Sequence, residues 1–288
     1  MTPGGPAEAL DSRRPKVTVS GLCRRAGMSR QALYKDRRQR RRREVDESAI
    51  LDLVRRERHL QPRLGGRKLL RLLRGDLKRM GISIGRDRFF DLLRRHGLLI
   101  EPPRRSCRTT YSAHGFATFG NLLKGAAIDG PHQAWVSDIT YIRTDEGFAY
   151  LSLISDLHSR QIVGWEVSDS LCADGPLRAL EMALRQLPAG AAPIHHSDRG
   201  IQYCCHEYVE TLERRGVSIS MTEDNHCYEN AQAERLNGIM KQEYGLGGTF
   251  RRRHEVRPAV AQGVMLYNTR RPHTSLDYRT PSQAHQAA

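Results

Sequence analysis

The apolar positions of this 288-residue chain change their period along its length, and the change divides it. Over residues 16–34, Val19, Leu22, Cys23 and Ala26 recur at helical spacing, Gly27 suits a left-handed turn, and Ser29 is placed to cap a helix carrying Leu33 and Tyr34. That spacing predicts a helix-turn-helix. A further helix is predicted over 44–58. Between 60 and 100, Leu69, Leu72, Leu73, Leu77 and Met80 form one stripe, with Arg67, Lys68, Arg71, Arg74, Lys78 and Arg79 facing out. Phe89, Phe90, Leu92 and Leu93 repeat the scheme until Gly97 stops it. From 101 to 125 the periodicity disappears and Pro and Gly enter, which marks a linker.

Beyond the linker the period shortens. Residues 134–142, 148–155 and 161–168 are β-branched and aromatic with short polar connections, so three antiparallel strands in a meander are predicted. Helical patterns at 173–187, 203–215 and 229–244 then alternate with short strands at 193–197 and 217–220, and alternation of this kind implies parallel strands in the same sheet. The predicted fold is α/β: a mixed five-stranded sheet with flanking helices, like ribonuclease H, preceded by an all-α region. The expected divisions are a basic helix-turn-helix and linker region at 1–58, a second helical region at 59–100, a linker at 101–125 and a core at 126–288. Pro272 and Pro281 predict an extended C-terminal end.

Charge sharpens this division. The net charge is +15, but residues 1–110 hold 30 Lys and Arg against 12 Asp and Glu, whereas 111–288 hold 17 against 20. An excess of one sign this large repels itself unless a polyanion neutralises it, which points to nucleic acid. Arg41, Arg42 and Arg43 in the run after the first helical pair are expected to contact DNA phosphates. Arg270 and Arg271 add a second basic patch near the C-terminus. No run approaches 18 apolar residues and the N-terminus lacks the apolar centre of a signal peptide, so a cytoplasmic protein without a membrane span is expected. The six cysteines show no CxxC spacing and are expected to be free thiols.

Three carboxylates carry the candidate chemistry: Asp138 in WVSDITYI, Asp198 in HHSDRGIQY and Glu234 in NAQAERLNGIMKQE. Chance alone places about three acid pairs at the 36-residue offset of the last two, so specificity rests on the flanking residues. Asp138 falls inside the first strand, Asp198 just past the fourth and Glu234 on a helix able to close over the sheet edge, and ligands of α/β sheets gather at strand ends. Like charges brought together raise one another's pKa, and divalent cations remove that penalty. Hard oxygen donors select Mg2+ or Mn2+, and two such ions suit displacement at phosphorus. Glu234, Asn237 and Lys241 share a helix face, so Asn237 and Lys241 are candidate DNA contacts, as are Arg199 and Gln202 beside Asp198. Asn230 is placed to cap the Glu234 helix, while Asp156 has the look of an ordinary turn acid. Of His195 and His196, at least one is expected to pack into the sheet.

The four words WVSDITYI, HHSDRGIQY, NAQAERLNGIMKQE and YNTRRPHTSLDYRTP resemble, in order and spacing, the catalytic subunit of bacterial insertion-sequence transposases with a retroviral-integrase-like Asp-Asp-Glu core, and together with the helical segment GGRKLLRLL to FFDLLRRHGLLI the likeness spans about residues 16–285. The resemblance implies a ribonuclease-H-like core, a metal-binding triad of Asp138, Asp198 and Glu234, and Mg2+-dependent strand cleavage followed by transfer of a 3′-hydroxyl. It also implies element-end and target DNA as partners, a homo-multimer, and an upstream-frame DNA-binding subunit as a possible fusion partner. Glu229-Asn230-Ala231 stands where the family usually reads Asp-Asn-Ala, which bears on helix capping more than on chemistry. The readings weighed against it are a DNA-binding repressor, which leaves the three acids unexplained, and a plain metal-dependent nuclease of the same fold.

Overall fold

Thr18 opens the first described helix, its Oγ1 accepting the Gly21 N–H at 3.2 Å. The computed structural model describes residues 18–100, 117–223 and 230–287 and separates into two units, Met1–Asp52 and Leu53–Ala288. In the first unit α1 (Val19–Arg25) ends in a turn where Gly27 has φ +64°, and α2 (Arg30–Leu60) starts where Ser29 Oγ accepts the Ala32 N–H at 3.0 Å. The two predicted helices and their turn are present. The second of these helices and the one expected over 44–58 are a single helix, because α2 continues through the basic run for 31 residues. No Gly or Pro interrupts that stretch, arginine is a strong helix former, and Asp36 pairs with Arg40 one turn on at 2.8 Å. Arg41, Arg42 and Arg43 lie exposed along this helix.

In the second unit α3 (Gly66–Arg79) buries Leu69, Leu70, Leu73 and Leu77, and α4 (Arg86–Arg95) buries Phe89, Leu92 and Leu93. Leu70 takes the place expected of Met80, which is exposed. The expected linker at 101–125 lies largely outside the described residues, as do Cys107, Cys227 and Glu229.

The sheet orders its strands β3-β2-β1-β4-β5, where β1 is Ala134–Thr144, β2 Gly147–Asp156, β3 Ile162–Ser168, β4 Ile194–Ser197 and β5 Ser218–Met221. β1, β2 and β3 form the antiparallel meander, and β4 and β5 run parallel to β1. A sixth short strand, β6 (Thr249–Phe250), pairs with the far end of β1, so the sheet has six strands and not five. Two residues at the end of a loop carry too little pattern to be seen in sequence.

Helices cover both faces. α5 (Asp174–Arg185), α6 (Ile201–Cys204) and α7 (His206–Arg214) pack with Trp135, Ile154 and Val163. α8 (Ala231–Glu243) and α9 (Val256–Thr269) pack on the other face with Ile142, Leu151 and Leu153. The helix expected over 203–215 breaks at Cys205, which is extended. Gly164 lets α5 approach β3, since a Cβ there would collide with the Ala179 carbonyl. α9 is fastened to β3 by Arg257, which donates to both oxygens of Glu166 at 2.8 Å. Near the C-terminus, Pro281 opens a helix, α10 (Pro281–Gln286), instead of extending the chain, because Thr280 and Gln283 form a capping box and proline suits the first turn.

Candidate active site

Period-two alternation puts Asp138 on the α8 face of β1, together with Ile142, while Trp135 and Ile139 point to the other face. The parallel register pairs Val136 with His196. Two residues further on each chain stand Asp138 and Asp198, so the register alone brings these two acids side by side. Asp198 leaves the strand at this point, its Oδ1 accepting the Gly200 N–H at 3.0 Å.

α8 is tied to β1 at two places. Asn230 Nδ2 donates to the Ser137 carbonyl at 3.0 Å, and Asn237 Nδ2 donates to Asp138 Oδ2 at 2.8 Å. Asn230 therefore occupies the helix N-cap position without capping it by its side chain. Asn237, expected as a DNA contact, is buried, and its amide is bonded to the candidate acid. The Ile139 N–H also donates to Asp138 Oδ1 at 2.8 Å.

Despite these donors the Asp138 carboxyl is pushed up to about 7, first by burial and next by the negative charge of Asp198, with a smaller contribution from Glu234. Glu234 lies exposed in the first turn of α8. Among the described residues no three His, Cys, Asp or Glu side chains stand close enough to enclose an ion. The structure thus pairs Asp138 with Asp198 and keeps Glu234 within electrostatic reach. Lys241, two turns along α8 from Glu234, is half-buried, and burial lowers its pKa while Asp138 raises it.

The remaining candidates fall elsewhere. Arg199 Nε donates to the Thr222 carbonyl at 2.7 Å and Gln202 Nε2 to the Leu171 carbonyl at 2.8 Å, so both brace the loop after β4. His195 and His196 are both packed in the sheet, against Tyr208 OH and Ser220 Oγ. Arg270 pairs with Glu57 at 2.6 Å, and Arg271 is 2% exposed with both its Nε and Nη2 on Glu243. Arg271 thus makes an interior ion pair and is no part of a surface patch, whereas Arg270 stays exposed while holding the buried Glu57 of a neighbouring helix. Asp156, expected at a solvated turn, is buried and accepts from His132 N–H, Ser159 N–H and Ser159 Oγ–H.

Sequence reading missed one neighbour of the acid pair and one of Lys241. Tyr203 is buried with its hydroxyl raised well above its ordinary range by burial and by the charges of Tyr208, Asp138 and Asp198. Arg143, exposed near the end of β1, is close enough to Lys241 to lower its pKa. Alternation along β1 foretells the exposure of Arg143; nothing local foretells the position of Tyr203. Cys204, beside Asp198, is a thiol pushed up to about 11, chiefly by burial, with its Sγ 3.7 Å from Met221 Sδ, so it is a packing group.

Models of the integrase core domain match residues 129–227 and 215–281. Transposase InsF for insertion sequence IS3fB of Escherichia coli (strain K12) is 30% identical over 285 residues, covering 95% of this chain and 96% of that protein. The uncharacterized 31 kDa protein of insertion element IS600 from Shigella sonnei is 35% identical over 74% of this chain and 79% of its own length. Among solved structures, the HTLV-2 integrase catalytic core domain in complex with magnesium aligns over 54% of this chain and 97% of that one, at 17% identity and a TM-score of 0.44. With this identity carried over nearly the full length of a named transposase, the chain belongs to the insertion-sequence transposases that contain an integrase core domain.

Proposed function

We propose that this chain cuts the ends of an insertion sequence and joins the freed 3′-hydroxyls to target DNA, in a metal-dependent reaction at Asp138, Asp198 and Glu234. The observation that carries the reading is the parallel β1–β4 register, which sets Asp138 beside Asp198 with Asn237 of α8 bonded to Asp138. Two acids forced together in this way, with Asp138 forming no ion pair among the described residues, make a donor set that fits Mg2+ or Mn2+. Asp138 and Asp198 would hold the ions, and Glu234 would join them from the first turn of α8. When bound, a pair of divalent ions supplies activation of the attacking oxygen and stabilisation of the leaving one.

The side chains of this molecule do the rest of the work. Asn237 and the Ile139 N–H fix the Asp138 carboxylate through one hydrogen bond to each oxygen. Lys241, half-buried near Asp138, is placed to hold a phosphate against the acid pair. Arg199 and Gln202, by bracing the loop, keep Asp198 at the strand end, and their reach toward DNA is part of the proposal. Arg41, Arg42 and Arg43, exposed on α2, supply phosphate contacts that hold DNA without reading its sequence. Pairing two DNA ends calls for a multimer, and an upstream-frame subunit is a further partner by resemblance.

The test is strand transfer from terminal-repeat DNA into a plasmid with Mg2+. Wild type should join strands, while Asp198→Asn and Glu234→Gln should lose roughly a thousandfold in rate, the several kcal/mol carried by a catalytic metal site. Full activity in either variant sinks the mechanism. A wild type that nicks and never joins makes the chain a nuclease of this fold.

A further inference from the structure

On the α9 side of α8, a cavity of about 800 Å³ opens beside the proposed catalytic glutamate. Lys68 of α3, Arg160 of the β2–β3 turn, Arg235 of α8 and Arg271 after α9 all line it, and so does Glu234. These cations are not balanced. Glu243 takes Arg271 through two bonds at 2.7 and 2.8 Å and Lys68 at 3.4 Å, so one carboxylate already serves two cations. Arg160 and Arg235 have no carboxylate within ion-pair distance among the described residues. Asp156 attracts Arg160 only at longer range, its oxygens being occupied by His132 and Ser159.

The backbone also commits Arg160 to this position. Its φ is +66°, a conformation a residue with a Cβ adopts at a cost, in a turn whose Asp156 is fully buried. We propose that this cavity binds the sugar-phosphate backbone of a DNA strand, with Arg160 and Arg235 on the phosphate, and so guides that strand past Glu234. The inference rests on the reading of this chain as an enzyme acting on DNA and names where the DNA runs. A volume of this size exceeds that of a lone phosphate and lies within the roughly 300–1,000 Å³ of clefts that hold whole ligands. Its wall includes Leu236 and Ile239, apolar surface that suits a deoxyribose and does nothing for an inorganic anion. The mutual repulsion of the cations is visible in Lys68, whose pKa is lowered by burial and then by Arg271, with Arg235 adding to the effect.

The full-length chain is tested by equilibrium binding of a labelled duplex with a single-stranded 3′ overhang across a salt series, without Mg2+ or Mn2+. The double variant R160Q/R235Q should bind more weakly for every sequence, and its slope of log affinity against log salt should fall by about two, close to 0.9 for each lost phosphate contact. R160K/R235K should keep binding within about threefold, since charge is retained. Should the double variant fold poorly by circular dichroism, R235Q alone, at an exposed position, should lower the slope by about one. A wild-type slope in R160Q/R235Q, or in a well-folded R235Q, overturns the inference. Displacement of the duplex by millimolar inorganic phosphate also overturns it, because the cavity would then be a small-anion site. Binding is read without catalysis, so a wild type inert in strand transfer removes the proposed function and leaves this result standing, while normal binding by the double variant does the reverse.

Discussion

The two ends of α8 present acids to opposite fates. At its last residue, Glu243 meets Arg271 and Lys68, and burial, which by itself would raise the carboxyl, is outweighed by their bonds and charges, leaving its pKa lowered. At its other end α8 leans on β1, where Asp138 faces Asp198 and the charge of Glu234, and its carboxyl rises to about 7. Both clusters are partly buried and both contain carboxylates. What separates them is compensation: a glutamate at a helix C-terminus, where the dipole is unfavourable, is satisfied by two cations, whereas Asp138 receives only an amide and a backbone N–H. A compensated acid holds the fold together. An uncompensated one is poised to take up a cation or a proton, and Asp138 is such a group.

The broadest way to break this contrast is to neutralise one acid at each end. Asp138→Asn should abolish strand transfer, by roughly a thousandfold, while leaving the thermal midpoint of the metal-free protein unchanged or raised, since the variant removes a carboxyl that burial disfavours. Glu243→Gln should do the opposite, lowering the midpoint with transfer by the folded fraction retained. Melting curves paired with transfer rates decide it, and a Glu243→Gln protein that is stable and inert would dissolve the distinction.

The next test works on the compensated end alone. Arg271→Met leaves Glu243 buried with only Lys68 at 3.4 Å, and removing one partner of a buried pair costs about 3–5 kcal/mol. Urea titration of the second unit's unfolding should show most of that loss, reduced because Lys68 remains, and the double variant R271M/E243M should recover part of it. A loss below about 1 kcal/mol would mean the pair is ornamental.

At the uncompensated end the signature is a pH dependence of opposite sign to the usual carboxylate. An unfolded aspartate titrates near 3.9, and the folded Asp138 near 7, so the folded state holds the extra proton between them. Its contribution to the metal-free protein is fully present below about 4 and is lost as pH rises through about 7, on the order of 4 kcal/mol. Differential melting of wild type and Asp138→Asn across that window should show the gap closing at low pH, and Mg2+ should stabilise wild type more as pH rises. Parallel curves for the two proteins would show that Asp138 is not strained by its neighbours.

Much of this contrast is legible in the sequence. Asp138 and Asp198 were readable because their strands announce themselves by β-branched and aromatic runs, and the alternation of strand and helix implies the parallel pairing that aligns them. The compensated cluster was not. Arg271 reads as surface charge because sequence shows charge without showing partners, and the partner that the exposed Arg270 holds, Glu57, lies 213 residues away. The same blindness hid Arg160 and Arg235, which converge on one cavity from a turn and a helix with no common motif. The continuity of α2 through the basic run at 37–43 is hidden for a local reason: the run has no apolar stripe to show a helical period, but its helix propensity, free of Gly or Pro, prevails.

The finest test concerns Asn237, whose hydrogen bond works against the strain at Asp138. Its amide lowers a carboxyl pKa that burial and Asp198 raise. Asn237→Leu keeps the volume against the α8 core and removes the donor, so Asp138 should hold its proton to higher pH. Because a metal binds only the ionised acid, the rising limb of the strand-transfer pH profile should move up, by about half to one unit, with the plateau rate little changed. Asn237→Gln, which keeps an amide donor, should restore part of the shift. If instead the plateau drops and the limb stays put, Asn237 acts on DNA or on the placement of Glu234, and the restraint of Asp138 must come from the Ile139 N–H alone.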